Sequence, residues 1–215
     1  DAINAYGVFK ITDQGKQPFE IVLKKLTIVS KCDASYPLQK KRHSYEYLRT
    51  LPHLRARTNL FAAIFRVRSV LNFAIHKYLR ERGFVYIPTP CITTSDCEGA
   101  GAMFQVTTLD LDNVAKNEDG TTDYTKDFFA KKSSLTVSGQ LDVENFAMAY
   151  ANVYTFGPTF RAEHSNTVRH AAEFWMIEPE LAFADLSDDM DCAEEMVKYI
   201  IKHVMTTCAE EIKFL

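Results

Sequence analysis

The sequence predicts an α+β fold: a mainly antiparallel sheet with helices packed against it, preceded by a short run of further strands. Three observations predict it. Apolar residues alternate at period two in some stretches and recur at period 3.6 in others, without regular strand–helix–strand alternation. No GxGxxG string occurs among the 215 residues, nor GxxxxGK followed by Ser or Thr, so neither the dinucleotide nor the P-loop form of a parallel sheet is available. Hydrophobic residues make up 47% of the chain, with 15 Phe and 10 Tyr, enough for a sizeable core and too many for a disordered chain.

The elements follow in order. Residues 1–30 read as strands: Phe19, Ile21 and Leu23 alternate, Leu26 and Ile28 continue after a local shift, and Asp13-Gln14-Gly15 signals a turn. Two or three strands do not make a stable domain alone. Residues 31–57 form an extended basic connector with Pro37 and Pro52, carrying Lys40-Lys41-Arg42-His43, Arg49, His53, Arg55 and Arg57 among Tyr36, Tyr45 and Tyr47. Thr58 is placed to cap a helix whose stripe is Ile64, Val67, Leu71, Ala74, Ile75, Tyr78 and Leu79, and Gly83 stops it. His76 and His203 read as surface groups on their helices.

Residues 84–87 form a short strand before Pro88-Thr89-Pro90, and Cys97-Glu98-Gly99-Ala100-Gly101 is a loop. Strands are expected over 104–109 and 135–137, with an exposed polar insertion over 113–126. A helix over 141–151 follows, then strands over 153–156 and 174–182 around an Arg-, His- and Glu-rich stretch. A long amphipathic helix runs from 188 to about 214, with acidic residues at its positive end.

Charge is unevenly spread. Residues 31–82 hold twelve Lys or Arg against three Asp or Glu, whereas residues 83–215 hold nine against twenty-two. Such asymmetry suggests a polyanion-binding segment joined to an acidic body. The five Cys are irregularly spaced with no CxxC pair, which suggests neither a zinc knuckle nor a disulfide framework and suits a reducing, cytoplasmic compartment. No apolar run approaches the ~20 residues that span a bilayer, and no signal peptide opens the chain.

The chemistry concentrates in residues 160–174. Arg161, Arg169 and His170 can grip phosphate oxygens, Phe174 can stack on a base, and Glu163 can accept from an exocyclic amine. Together they fit ATP held without a P-loop. A surface hairpin with charged sides and a core Phe would account for the same residues.

Resemblance separates these readings. Phe160-Arg161-Ala162-Glu163, with Arg169-His170 and Glu173-Phe174, resembles motif 2 of the class II aminoacyl-tRNA synthetases. Tyr154-Thr155-Phe156-Gly157-Pro158 and Trp175-Met176 through Glu178-Pro179-Glu180 resemble the asparaginyl form. The helix from Thr58 and the strand before Pro90 are similar to motif 1, which in this class forms a homodimer interface. Residues 1–34 would end an OB-type anticodon-binding barrel, 35–57 would be the hinge, with Lys40, Lys41, Arg42 and Arg55 facing tRNA(Asn), and 58–215 would be the N-terminal part of the catalytic domain.

The resemblance implies an ATP- and Mg²⁺-dependent ligase that activates L-asparagine and transfers it to tRNA. Arg161 would be catalytic on the α-phosphate, with Glu163 and Phe174 on adenine and Arg169 and His170 on the β- and γ-phosphates. Glu98, Gln140, Glu144 and Glu178 would hold asparagine. Ser138-Gly139-Gln140-Leu141 with Glu144 follows the asparaginyl pattern, whereas the aspartyl pattern has Pro at 139 and Lys at 143. A Lys would neutralise aspartate; Glu144 accepts from an amide and repels aspartate.

The family's Gly-rich third motif has no counterpart: the last of the eight Gly is Gly157. The family residues that coordinate Mg²⁺ belong to later strands, so no metal ligand is expected here. The chain reads as part of such an enzyme, inactive by itself. The alternatives are an aspartyl-tRNA synthetase or a truncated, non-catalytic paralogue that binds RNA or protein or dimerises.

Overall fold

A computed structural model describes residues 1–12, 17–97, 99, 102–165 and 167–215. They form two compact units, Asp1–Ala62 and Ala63–Leu215. The expected turn at Asp13-Gln14-Gly15 lies outside the described residues.

In the first unit, β1 (Ala2–Ile11) and β2 (Phe19–Ser30) pair antiparallel. Leu23 faces Gly7 and Lys25 faces Tyr6, so Lys24 is the extra residue of a bulge. This bulge is the shift in alternation between Leu23 and Leu26. Gly7 sits beside it, where a Cβ would lie 2.3 Å from the Val22 carbonyl oxygen. Apolar side chains on both strands stay exposed, including Phe9, Ile11, Ile21 and Val29.

The connector is not extended throughout. A short helix, α1 (Tyr45–Arg49), starts at Ser44, whose hydroxyl accepts from the Tyr47 amide at 3.2 Å. Arg55–Arg57 forms a 3₁₀ turn. Two of its tyrosines fold the connector locally. Tyr47 donates to the Pro37 carbonyl at 3.1 Å, and the Tyr36 hydroxyl accepts from Arg57 at 3.1 Å. Lys40, Lys41 and Arg42 stay exposed, while the Arg55 guanidinium lies 4.9 Å from the Phe61 ring centre.

The long helix α2 (Asn59–Glu81) begins where predicted: the Thr58 hydroxyl accepts from the Phe61 amide at 3.4 Å. It ends in a Schellman turn, with Gly83 N–H bonding Arg80 O and Phe84 N–H bonding Leu79 O, both at 3.1 Å. Gly83 has φ +84°, which glycine adopts without steric cost.

After α2 come β3 (Val85–Tyr86), β4 (Ile92–Thr93), β5 (Gln105–Val106), β6 (Ser133–Leu135), α3 (Gln140–Tyr150), β7 (Asn152–Phe160), β8 (Glu173–Leu181), α4 (Leu186–Thr207) and α5 (Ala209–Phe214). Two three-stranded sheets result, ordered β3-β7-β8 and β4-β6-β5. All pairings are antiparallel except β3 with β7. The predicted strands over 84–87 and 104–109 shrink to two residues each, and β4 was not predicted. The long last helix is two: a capping box at Asp185 and Asp188 starts α4, and the chain bends at Cys208.

Strand β7 is buried on both faces. On one, Tyr154 and Phe156 pack with Ile75, Tyr78 and Leu79 of α2, joined by Ile177 of β8 and Met196 and Ile200 of α4. On the other, Val153 packs with Ile87 and with Val143 and Ala147 of α3. His76 is not a surface group. It is half-buried, its Nδ1 2.8 Å from the Tyr154 hydroxyl, and it meets Tyr86 and Phe156 edge-on. Burial, with Arg80 nearby, holds its pKa below the usual histidine value. His203 is also half-buried and stacks on Tyr199.

The insertion between β5 and β6 is largely exposed but anchored. Asp127 is 8% exposed. Its carboxylate accepts from the Thr107 hydroxyl (2.6 Å), from the Thr108 amide and hydroxyl (both 2.8 Å) and from the Phe128 amide (2.8 Å). These donors, the Thr107 hydroxyl foremost, hold its pKa far below the usual carboxylate range.

Leu79→Ala, at a fully buried position, is expected to cost about 2–5 kcal/mol of unfolding free energy in a guanidinium titration. Asp127 binds its proton more weakly folded than unfolded, so its stabilisation is full above the ordinary carboxylate pKa and fades as pH falls below it. Asp127→Asn is therefore expected to lower the melting temperature at pH 7, with the gap to the parent narrowing as the protein is acidified.

Candidate functional site

The β7–β8 hairpin carries the site. Its ladder runs from Asn152↔Leu181 to Phe160↔Glu173, and the Arg161 amide continues it by donating to Ala172 O at 3.0 Å. Beyond it, the Thr167 hydroxyl lies 2.5 Å from His170 Nδ1 and accepts from the Arg169 amide at 3.3 Å. Arg161, Glu163, Ser165, Arg169, His170 and Phe174 line a cleft of about 620 Å³. The Arg161 guanidinium lies 5.5 Å from the Phe174 ring centre. Its Nε is buried and meets no hydrogen-bond partner among the described residues. A buried donor without a partner is costly unless a ligand supplies the acceptor. Two guanidinium groups, an imidazole, a carboxylate and an aromatic plane suit an anion attached to a flat ring.

A second cluster lies along the same strand. Residues 174, 176, 178 and 180 share one face of β8, opposite the face that carries Ile177 and Leu181 into the core. Phe174 and Glu178 are thus about 13 Å apart along that face. Glu178 accepts from the Ser138 hydroxyl and, at 3.2 Å, from the Gly139 amide. Gly139 begins α3 and has no side chain for the cap, so Glu178 supplies the acceptor at the helix's positive end. At the first residue of α3, Gln140 Nε2 donates to Glu144 Oε1, one turn further on, at 2.9 Å. Glu180 has its pKa raised, first by burial and then by Glu144, Glu178 and Asp189.

The family model for class II tRNA synthetases (D, K and N) matches residues 44–215. The chain belongs to this family. It is 63% identical over 212 residues to the asparagine–tRNA ligase of Clostridium acetobutylicum, covering 99% of this chain and 46% of that protein. It is 64% identical over 199 residues to that of Desulfitobacterium hafniense, covering 93% and 43%. The chain spans less than half the length of these curated relatives. Its fold matches the crystal structure of asparaginyl-tRNA synthetase from Pyrococcus horikoshii complexed with asparaginyl-adenylate, with TM-score 0.82 and 28% identity over 99% of this chain and 44% of that one.

Within this class II synthetase chain, Arg161, Glu163, Arg169, His170 and Phe174 are brought into one cleft. Gln140, Glu144 and Glu178 gather at the start of α3. Among the described residues Glu178 is in no ion pair, the other role open to an inward carboxylate; it is bound by Ser138 and Gly139. Glu98 lies outside the described residues. Lys40, Lys41, Arg42 and Arg55 belong to the first unit. The residue reading missed Ser138 as a partner of Glu178, and Glu180 as a half-buried carboxylate. It also missed the contact that demands glycine at 139: a Cβ there would lie 2.5 Å from Thr89 Oγ1 and 2.8 Å from Thr155 Cγ2. No spacing rule signals such contacts, because they join segments far apart in the chain.

Gly139→Ala is accordingly expected to destabilise the fold by about 1–3 kcal/mol, measured by denaturant unfolding. Thr89→Ala in the same chain is expected to recover part of the loss, since it removes one of the two obstructing atoms.

Proposed function

We propose that this chain is part of an asparagine–tRNA ligase, which activates L-asparagine with ATP to asparaginyl-adenylate and passes the amino acid to tRNA(Asn). The observation that carries the reading is the cleft itself: an Arg161 Nε buried without a partner among the described residues, beside the Phe174 ring, with Arg169 and His170 lining the same cleft. The asparagine carboxylate attacks the α-phosphate in line and pyrophosphate leaves. Such chemistry rests on positioning and on neutralising charge, more than on proton transfer. In this reading Arg161 neutralises the α-phosphate, Arg169 and His170 hold the β- and γ-phosphates, and Phe174 and Glu163 receive adenine.

Asparagine would lie further along β8, against Gln140, Glu144 and Glu178; Glu98 keeps the asparagine-binding role that the family resemblance implies. Glu144 accepts from the side-chain amide; burial first, then Glu144, Glu178 and Asp189, raise the pKa of Glu180, and this gathering of carboxylates disfavours aspartate. Gly139 supports asparagine over aspartate as well. A proline there, as in the aspartyl pattern, would lose the amide that binds Glu178 and collide with Thr89 and Thr155.

The uncovered β1–β2 hairpin and the exposed Lys40, Lys41 and Arg42 suit the end of an anticodon-binding barrel and a tRNA-facing hinge. Part of the basic segment is used elsewhere: Arg66 pairs with Glu211 and Arg82 with Glu195, both at 3.4 Å. Homodimerisation through the motif 1 region and residence in the cytoplasm belong to the same proposal. Among the described residues no helix is long and apolar enough to cross a membrane. Mg²⁺ would accompany the ATP phosphates. Among the described residues no group of three or more His, Cys, Asp or Glu could hold it, so none of them is assigned to the metal.

In the full-length protein, Arg161→Ala is expected to lower asparagine-dependent ATP–pyrophosphate exchange by about two to three orders of magnitude. Near-normal exchange by the variant contradicts the assignment.

A further inference from the structure

Gln140 is held from both ends. Its Nε2 donates to Glu144 Oε1 at 2.9 Å, and its Oε1 accepts from the Cys97 thiol at 3.6 Å. Cys97 is 5% exposed. The direction of this chain is dictated by chemistry. An ionised carboxylate only accepts, so the amide nitrogen must face Glu144. The amide oxygen then faces Cys97, and the thiol proton is the donor that suits it. Glu144 alone fixes which way the amide faces; the thiol anchors its oxygen end, and without that anchor the Gln140 side chain is held at one end only.

The same chain orients Glu144. Gln140 occupies Oε1, and no donor among the described residues is assigned to Oε2. Glu178 is already bound by Ser138 and Gly139. Glu144 Oε2 stays available to accept from an amide N–H.

We infer that Cys97 is a specificity-determining positioning residue: its thiol sets the Gln140 amide, which turns Glu144 to receive the side-chain amide of asparagine. The inference rests on reading this cluster as the asparagine site. Cys97 touches no reacting atom; it acts through Gln140.

The test is asparagine-dependent pyrophosphate exchange by the full-length protein and its Cys97 variants. Cys97→Ala is expected to raise the KM for asparagine about three- to tenfold, the scale of one ordinary hydrogen bond, with kcat and the KM for ATP within about twofold. Cys97→Val, which fills the volume but donates nothing, should behave likewise, and Cys97→Ser should recover most of the loss. In a Gln140→Ala background, Cys97→Ala should add nothing further. An unchanged KM in Ala and Val variants that melt like the parent overturns the inference. So does an equal effect in both backgrounds, which marks a packing role. A parent protein without asparagine-dependent exchange sinks the functional reading and this inference together; a parent that exchanges, with variants of unchanged KM, sinks this inference alone.

Discussion

The burial of β7 on both faces is the constraint on which the second unit depends. A strand covered on one side only would alternate apolar and polar residues; here Val153, Tyr154, Thr155 and Phe156 are all buried in succession. Tyr154 and Phe156 commit one side to α2 and α4, and Val153 commits the other to α3. Strand β8 takes its register from β7 over nine residue pairs. A slip of one residue would turn Ile177 and Leu181 out of the core and drive Phe174 and Glu178 into it. The position of the site is therefore a by-product of the packing that makes the core.

That arrangement lets an acidic body gather cationic side chains in one cleft. Residues 83–215 carry a large excess of Asp and Glu, yet Arg161 and Arg169 meet at one end of the hairpin. The carboxylates gather further along β8, where Glu178 caps α3 and Glu180 has its pKa raised by burial and by the carboxylates beside it. The strand thus carries a gradient, positive at the hairpin's far end and negative beside α3. A molecule with phosphates at one end and an ammonium or amide at the other matches it.

Much of this was legible because it rests on local rules. Thr58 and Gly83 bound α2 through capping chemistry that a single sequence displays. The shift in alternation after Leu23 was visible in the sequence, and the bulge at Lys24 accounts for it. Arg161, Arg169, His170 and Phe174 could be grouped because one hairpin brings them together. What stayed hidden depends on contacts between distant segments. His76 read as a surface group because its neighbours Tyr86, Tyr154 and Phe156 come from other elements. The fold of the connector on Tyr36 and Tyr47, the break at Cys208 and the glycine requirement at 139 have the same origin.

The central claim is that the two clusters on β8 form one site for asparagine and ATP. Amino-acid-dependent pyrophosphate exchange by the purified full-length protein, measured with asparagine and aspartate in parallel, tests it most directly. The account predicts exchange with asparagine, and a kcat/KM for aspartate lower by about two orders of magnitude or more. Preference for aspartate, or no exchange with either amino acid, would contradict it.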